Sequence, residues 1–489
     1  VTGDAISLND VDVAYDATGR YVLGTLQLGN PANFLILDSD PRKDLAAILD
    51  TKKHTLFAVY QGEVVTNHFS TITEETPEEK ESASQGWLAY SPPPLILALN
   101  YGDTSRWNHF QTKYVNGLFV GAVVLDRMNW QDQNSDSLEQ VGDLTEFDGG
   151  EIRAFRLGAA GTINFEKPWV WTLAGATHAF DKGFDTTESD DFTIFDLRLD
   201  IPLYEKASFS IGKQKEPISM ERIMAMTDMP MQERAAVSDS LLPSRNVGIV
   251  MAGSLLDDDM TVAGGLFNNW LDKDQPNSAG DNATQFVGRA TWLPYASPNE
   301  STILHLGGGV RYSNAKEGAS AKAGPEFGSA PDFLSTGLFE SESISTYQGE
   351  VSLRSGPFWL HREYIRSEFE DTLEGDVAFQ GYHLTASWIV SGEVRPYNRR
   401  VGVFGGIPIA RDVDQDGWGA WELSSRFSHM DMNDGPANYG EMDIWSAGIT
   451  WLPSPYLNVF FDYRYITLDD MGLEGTSHGF NSRIMILLD

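Results

Sequence analysis

Cysteine is absent from all 489 residues. That absence removes disulfides, thiol nucleophiles and thiolate metal sites together, and it suits a chain exported through an oxidising compartment. No window of about 18 consecutive apolar residues occurs, so no helix of this sequence can span a bilayer, and a membrane contact falls to a barrel or to the surface. Positive charge is scarce: 35 Lys and Arg stand against 70 Asp and Glu, a formal net charge of −35. Nucleic acid is thereby excluded as a partner class, because phosphate-backbone binding is built on net positive surface. The opening "VTGDAISLND" lacks a basic start and an apolar core, and with Val1 at its head the chain is expected to be a mature, processed product. The nine histidines show no HExxH or paired spacing and no GxSxG elbow is present, so catalysis is not expected.

What is present is a repeated format. From about Gly117 onward, runs of roughly ten residues alternate apolar with small or polar ones, the period-two signature of a strand with one apolar face. In "IWSAGITW", Trp445, Ala447, Ile449 and Trp451 share one face while Ser446, Gly448 and Thr450 share the other. Sixteen such strands are predicted, starting near Leu118, Ile152, Trp169, Phe192, Ala207, Asn246, Met260, Thr284, Thr302, Thr346, Phe358, Phe379, Gly419, Ile444, Leu457 and His478. Short links alternate with long ones (127–150, 178–191, 217–244, 269–283, 313–344 and 431–443), with 391–418 a long link on the short side. Trp and Tyr gather at strand ends. These features predict an all-β fold: a 16-stranded antiparallel transmembrane β-barrel over 114–489, facing outer-membrane lipid, with both termini in the periplasm.

Residues 1–113 are predicted to form a small N-terminal α+β periplasmic domain of unassigned role. A helix is expected in "SDPRKDLAAILD", strands in "TLFAVYQGEVV" and an exposed acidic loop at 71–84. A peptidoglycan contact, a pore plug and a partner-docking role all remain open.

With the apolar face toward lipid, the other face lines the lumen. Arg156, Arg198, Arg289, Arg311, Arg354, Arg426, Arg464 and Arg483 all take lumen parity, as do Asp196, Asp200, Glu350, Glu422 and Asp462. An Arg facing hydrocarbon at the bilayer midplane costs about 2–4 kcal/mol, which explains the direction but not the choice of arginine. Two readings stay open: a conducting ladder for anions, or a wall braced by ion pairs.

The segment "GKQKEPISMERIMAMTDMPMQERAAVSDSLLPSRNVG" concentrates Lys213, Lys215, Arg222, Arg234 and Arg245 between two strands, within the third long link. Its many Met and Leu residues would be ill placed in water. Folded into the barrel, they would pack on the wall while Arg222, Arg234 and Arg245 narrow and charge the passage.

"GKQKEPISMER", "MQERAAVSDSLLPSRNVGIVMAG", "SWIVSGEVRPYNRRVGVFGG" and "ITWLPSPYLNVFFDYRYI" together resemble the phosphate-selective porins of the O and P type, over about 114–489. The resemblance implies a trimeric barrel, an inward-folded third loop at about 217–244, and basic residues that bind an anionic solute in transit. By motif position the binding role falls on Lys213, Lys215, Arg234 and Arg245, with Arg222 beside them. Strict alternation from Phe209 and Ile211 puts Lys213 and Lys215 on the lipid parity, so they reach the pore only where the strand bulges or ends. The function so implied is a passive outer-membrane porin for anions, phosphate or phosphate-containing solutes first. A dicarboxylate channel and a structural, cell-wall-anchoring barrel are the alternatives.

No cofactor is expected apart from one candidate metal site. "DVDQDGWGAWEL" sets Asp412, Asp414 and Asp416 before Gly417 like the start of a calcium loop, although Leu423 stands where that loop needs Glu, and an acidic periplasmic turn without metal is the favoured alternative.

Overall fold

In the computed structural model of the chain, described residues comprise 107–177, 192–204, 206–268, 285–315, 318–370 and 375–488, together with the backbone of four N-terminal strands. Contacts divide the chain into two units, Val1–Ser84 and Gln85–Asp489. The first holds an antiparallel four-stranded sheet, Tyr21–Thr25, Asn33–Leu37, Thr55–Tyr60 and Glu63–Asn67, paired in sequence order. The last two strands fall on "TLFAVYQGEVV", where strands are expected; the expected helix at 39–50 and the acidic loop lie outside the described residues.

The second unit is a closed barrel of sixteen long antiparallel strands. We number them β1 (Val115–Gln133), β2 (Gly149–Ile163), β3 (Trp169–Ala176), β4 (Thr193–Tyr204), β5 (Ala207–Gln214), β6 (Asn246–Leu255), β7 (Met260–Asn268) and β8 (Gln285–Ala296). They continue as β9 (Thr302–Asn314), β10 (Ser343–Ser355), β11 (Phe358–Glu370), β12 (Val377–Ile389), β13 (Ala420–Asp434), β14 (Ala437–Ser454), β15 (Leu457–Asp470) and β16 (Leu473–Leu488). Each strand pairs with the next, and β16 closes on β1, with Leu488 opposite Gly121 and Ile484 opposite Leu125. Closure leaves no barrel strand with an open edge, as a strand wall in hydrocarbon requires.

Alternation positions the side chains as the sequence implies. On β14 Trp445 and Ile449 are exposed on the outer surface while Ser446 and Thr450 are buried inside. Stacked aromatic pairs lie near the short-turn rim, Trp421 on Trp451 and Phe358 on Trp388. Aromatic rings at the rim are what a membrane-spanning barrel sets at the lipid headgroups.

One predicted long connection is corrected. Residues 431–443 are not a loop; β13 and β14 run on to a two-residue turn at Gly435 and Pro436, with Gly435 at φ +55°. The polarity rule failed because the inward residues here, Met430, Met432, Ala437 and Met442, are apolar and belong to a core inside the barrel. β15 and β16 end likewise in a tight turn, Met471 at φ +56° and Gly472 at φ +77°, the left-handed pair that matches strand twist.

That core exists because three connections fold inward. Residues 215–245 are buried almost throughout and carry two short helices, α1 (Met220–Ile223) and α2 (Ala236–Leu241). Residues 318–341 enter from the same rim, bringing Phe327 and Phe333 onto Trp130. From the opposite rim comes 390–419, whose small hairpin pairs Tyr397 with Phe404 and Asn398 with Val403. Met220, Ile223, Met224, Met226 and Met229 pack with Val401, Val403 and Phe404. At about 1.5–3 kcal/mol for each fully buried side chain of this size, the Met-rich loop gains more inside the barrel than in water.

Candidate functional site

Besides this packing, ion pairs tie the inward loop to the wall. Arg153 reaches it through a bulge: the β1–β2 register shifts between Val124 and Leu125, so Arg153 and Ala154 both turn inward between exposed Ile152 and Phe155. Arg153 Nε and Nη2 donate to Glu233 Oε1 and Oε2 at 3.0 and 3.1 Å, and Arg483 Nη2 donates to the same carboxylate. Burial would raise the Glu233 carboxyl, but Arg153 and Arg483 hold it well below the ordinary carboxylate value. Strict alternation conceals Arg153, so sequence reasoning missed it.

Most of the predicted lumen arginines are paired. Arg198 bonds Asp200 (2.8 Å), Arg289 bonds Glu350 (3.1 Å), Arg311 bonds Glu216 (2.8 Å) and Arg464 bonds Asp462 (3.0 Å). Arg483 also clasps Asp126 with two bonds of 2.7 Å, and Arg426 joins Glu326 to Glu221. Arg354 donates to the backbone carbonyls of Arg395 and Glu300, and Glu422 accepts from Arg395 at 2.6 Å. Arg222 lies within the loop's own fold, donating to Ser238 O and Leu242 O at 2.6 and 2.7 Å and pairing with Asp239. Over this part of the lumen the geometry is that of a braced wall.

A different arrangement occupies the side of the lumen formed by β1 to β4. There a cavity of about 120 Å³ lies between the wall and the loop, lined by Arg156, Lys215, Arg234 and Arg245 with Asp196 as the one carboxylate. Gly121, Ala122, Gly158 and Ala174 are among the wall residues that line it. Arg245 Nε donates to Asp196 Oδ1 at 3.0 Å. Its guanidinium lies 3.4 Å from the centre of the Phe195 ring, and that of Arg156 lies 4.6 Å from it. Lys215 Nζ donates to Ile223 O and Met224 O, and Arg234 to Glu221 O and Met224 O, so both cations are held in place by loop backbone. Phe195 is a residue that sequence reasoning missed: the β3–β4 register shifts between Ala174 and Gly175, and this bulge turns both Phe195 and Asp196 inward.

Lys213 and Lys215 are both buried, despite their lipid parity. Gly212 sits at φ +129°, where alternation breaks, and β5 ends at Gln214 so that Lys215 already belongs to the loop. A Cβ at Gly212 would lie 1.9 Å from Leu197 O. Gly212→Ala is therefore expected to destabilise the barrel by more than about 1 kcal/mol, read as a lower urea midpoint for the folded, heat-modifiable form on gels.

Comparison with known proteins places this architecture. The profile of the family described as Phosphate-selective porin O and P matches residues 124–474. The chain belongs to that family. This porin therefore belongs to the bacterial outer membrane. An uncharacterised protein of Caulobacter vibrioides is 24% identical over 286 residues, and the match spans 55% of each chain, so the chain covers about half the length of that curated relative. Similar solved structures include OmpT of Vibrio cholerae (TM-score 0.47, 9% identity, 78% of this porin and 100% of that chain). An anion-selective porin from Comamonas acidovorans has a TM-score of 0.45 and 13% identity over 76% of this porin and 100% of that chain. The outer membrane channel DcaP of Acinetobacter baumannii has a TM-score of 0.46 and 9% identity over 78% and 99%.

Proposed function

We propose that this porin is a passive channel selective for anions, with phosphate or a phosphate-containing solute its first substrate class. The observation that carries the reading is the cavity where Arg156, Lys215, Arg234 and Arg245 meet with Asp196 as the one opposing carboxylate. Guanidinium forks match the oxygens of phosphate, and cations already engaged by backbone carbonyls and by Asp196 hold a passing anion weakly enough to release it. Lys213 on β5 adds a further buried cation, while the paired arginines keep the loop in position.

The test is a reversal potential across a planar bilayer under a KCl gradient, followed by phosphate titration. Anion selectivity is expected, with phosphate blocking chloride current and both Arg234→Ala and Arg245→Ala weakening the block about tenfold, the worth of one charged hydrogen bond. Block by a succinate-like dianion but not by phosphate would make this a dicarboxylate channel, and cation selectivity would sink the mechanism. A homotrimer, read by mass in detergent, and a periplasmic or cell-wall contact through residues 1–113 complete the proposal. Calcium at Asp412, Asp414 and Asp416 rests on their spacing around the turn Val413–Gln415; bound calcium lost in Asp414→Asn is its test.

A further inference from the structure

Under the inward loop, β11 and β12 bring together three metal-ligand side chains that no spacing rule for helices finds. His361 and Glu363 are two apart on β11 and both point inward, and Glu363 lies directly opposite His383 on β12. Donor atoms of the three lie within 4.8 Å of one another, and all three side chains are buried. The loop brings a fourth carboxylate close: Glu221, which accepts from Ala235 N–H and pairs with Arg426, has its Oε2 3.6 Å from His383 Nε2.

We propose that His361, Glu363 and His383, with Glu221 from the loop, bind one divalent transition-metal ion, Zn²⁺ in the first place, which fastens the loop to the barrel wall.

Three observations support it. His383 Nε2 is fully buried, makes no hydrogen bond and faces the cluster, while Nδ1 is engaged by Thr385 Oγ1 at 3.3 Å. A buried ring nitrogen in that state wastes a lone pair that a metal would use. Next, Glu363 is a wholly buried carboxylate whose ion-pair partner among the described residues is His361, with no Lys or Arg pairing to it. Its oxygens accept from Glu221 N–H at 2.8 Å and from Gln348 Nε2 at 3.1 Å, but these neutral donors leave the buried charge without a cation, which a divalent ion supplies. Finally, the distances suit a tetrahedral ion. Bonds of 2.0–2.1 Å imply ligand–ligand edges of about 3.3 Å, and His361 Nε2 to Glu363 Oε1 is 3.1 Å.

The outer contacts also orient the ligands. Ser352 Oγ is 2.5 Å from His361 Nδ1, leaving Nε2 for the metal, and Gln348 Nε2 donates to Glu363 Oε2 at 3.1 Å. Two imidazoles and two carboxylates form a borderline donor set, better suited to Zn²⁺ than to Ca²⁺ or Mg²⁺.

The experiment uses the folded full chain in detergent, equilibrated with Zn²⁺ or Co²⁺ and dialysed, with bound metal read by elemental analysis and Co²⁺ geometry by its visible spectrum. One ion per chain and a tetrahedral Co²⁺ spectrum are expected. Glu363→Gln and His383→Gln should lose the ion, and Ser352→Ala, a small change that leaves the wall intact, should weaken binding about 10–100-fold. His429→Ala, at a separate site on β13 beside Asp443, should bind as the parent does. Less than one ion per chain in the parent, or equal binding by Ser352→Ala and Glu363→Gln, overturns the proposal and leaves a proton-sharing His–Glu network in its place.

Discussion

Replacing Glu233 with Ala is expected to release the constriction loop, raising single-channel conductance and making its current noisy while the barrel itself persists. Glu233 is the loop residue that Arg153 grips at 3.0 and 3.1 Å and that Arg483 shares with Asp126. Removing one partner of such a buried pair costs about 3–5 kcal/mol, because the charge left behind is uncompensated. Arg483 retains its two bonds to Asp126, so the larger loss falls on Arg153, whose bulge then presents a buried guanidinium to the space the loop had filled. The same carboxylate sets a pH dependence. Its value in the folded protein is depressed below the ordinary 4.5. The clamp is thus fully present above about pH 4.5 and is lost as the pH falls through the depressed folded-state value. Conductance recorded from neutral to acid pH should rise at the acid end in the parent, and Glu233→Gln should show the open behaviour at neutral pH already. A parent whose conductance stays flat into strong acid, with Glu233→Gln unchanged, would mean that apolar packing of the Met residues holds the loop by itself.

Strand number and order were legible because hydrocarbon outside a barrel enforces alternation: an outward Trp445 and an inward Ser446 can be told apart from sequence alone. The lumen was less legible, for two physical reasons. Bulges at Arg153 and Phe195 insert one residue each and defeat period-two counting, although those two side chains respectively clamp the loop and floor the cavity. The interior is also partly an apolar core, so inward Met430 and Met442 resembled loop residues under a rule that equates apolar with lipid-facing. Which arginines brace and which line a passage depends on segments far apart in sequence. Glu216 from the loop meets Arg311, whereas Arg156 lies over Phe195 and lines the cavity. The His361, Glu363 and His383 cluster was invisible for a related reason. Its spacing is that of neighbouring strands, where i and i+2 on one strand meet a partner across the ladder.

Arg156→Glu is expected to bring the largest change in selectivity. Arg156 lies on β2 with its side chain over Phe195, so its charge can be inverted while the loop keeps its ties through Lys215 and Arg234. The substitution lowers the cavity lining from three net positive charges to one. At an effective dielectric of about 20, a unit charge about 10 Å from a permeating ion contributes roughly 1.7 kcal/mol, so a change of two units outweighs a tenfold preference even after partial screening. The anion-to-cation permeability ratio should therefore fall at least about tenfold at 0.1 M KCl, where the Debye length is about 10 Å. At 1 M, with a Debye length of about 3 Å, most of that difference should vanish. Arg464→Gln, whose parent side chain is buried and paired with Asp462, should instead leave selectivity near the parent value while lowering stability. Equal selectivity changes from the two substitutions would mean that ions do not pass along β1 to β4, and that the field of the whole lumen, not the cavity, sets the preference.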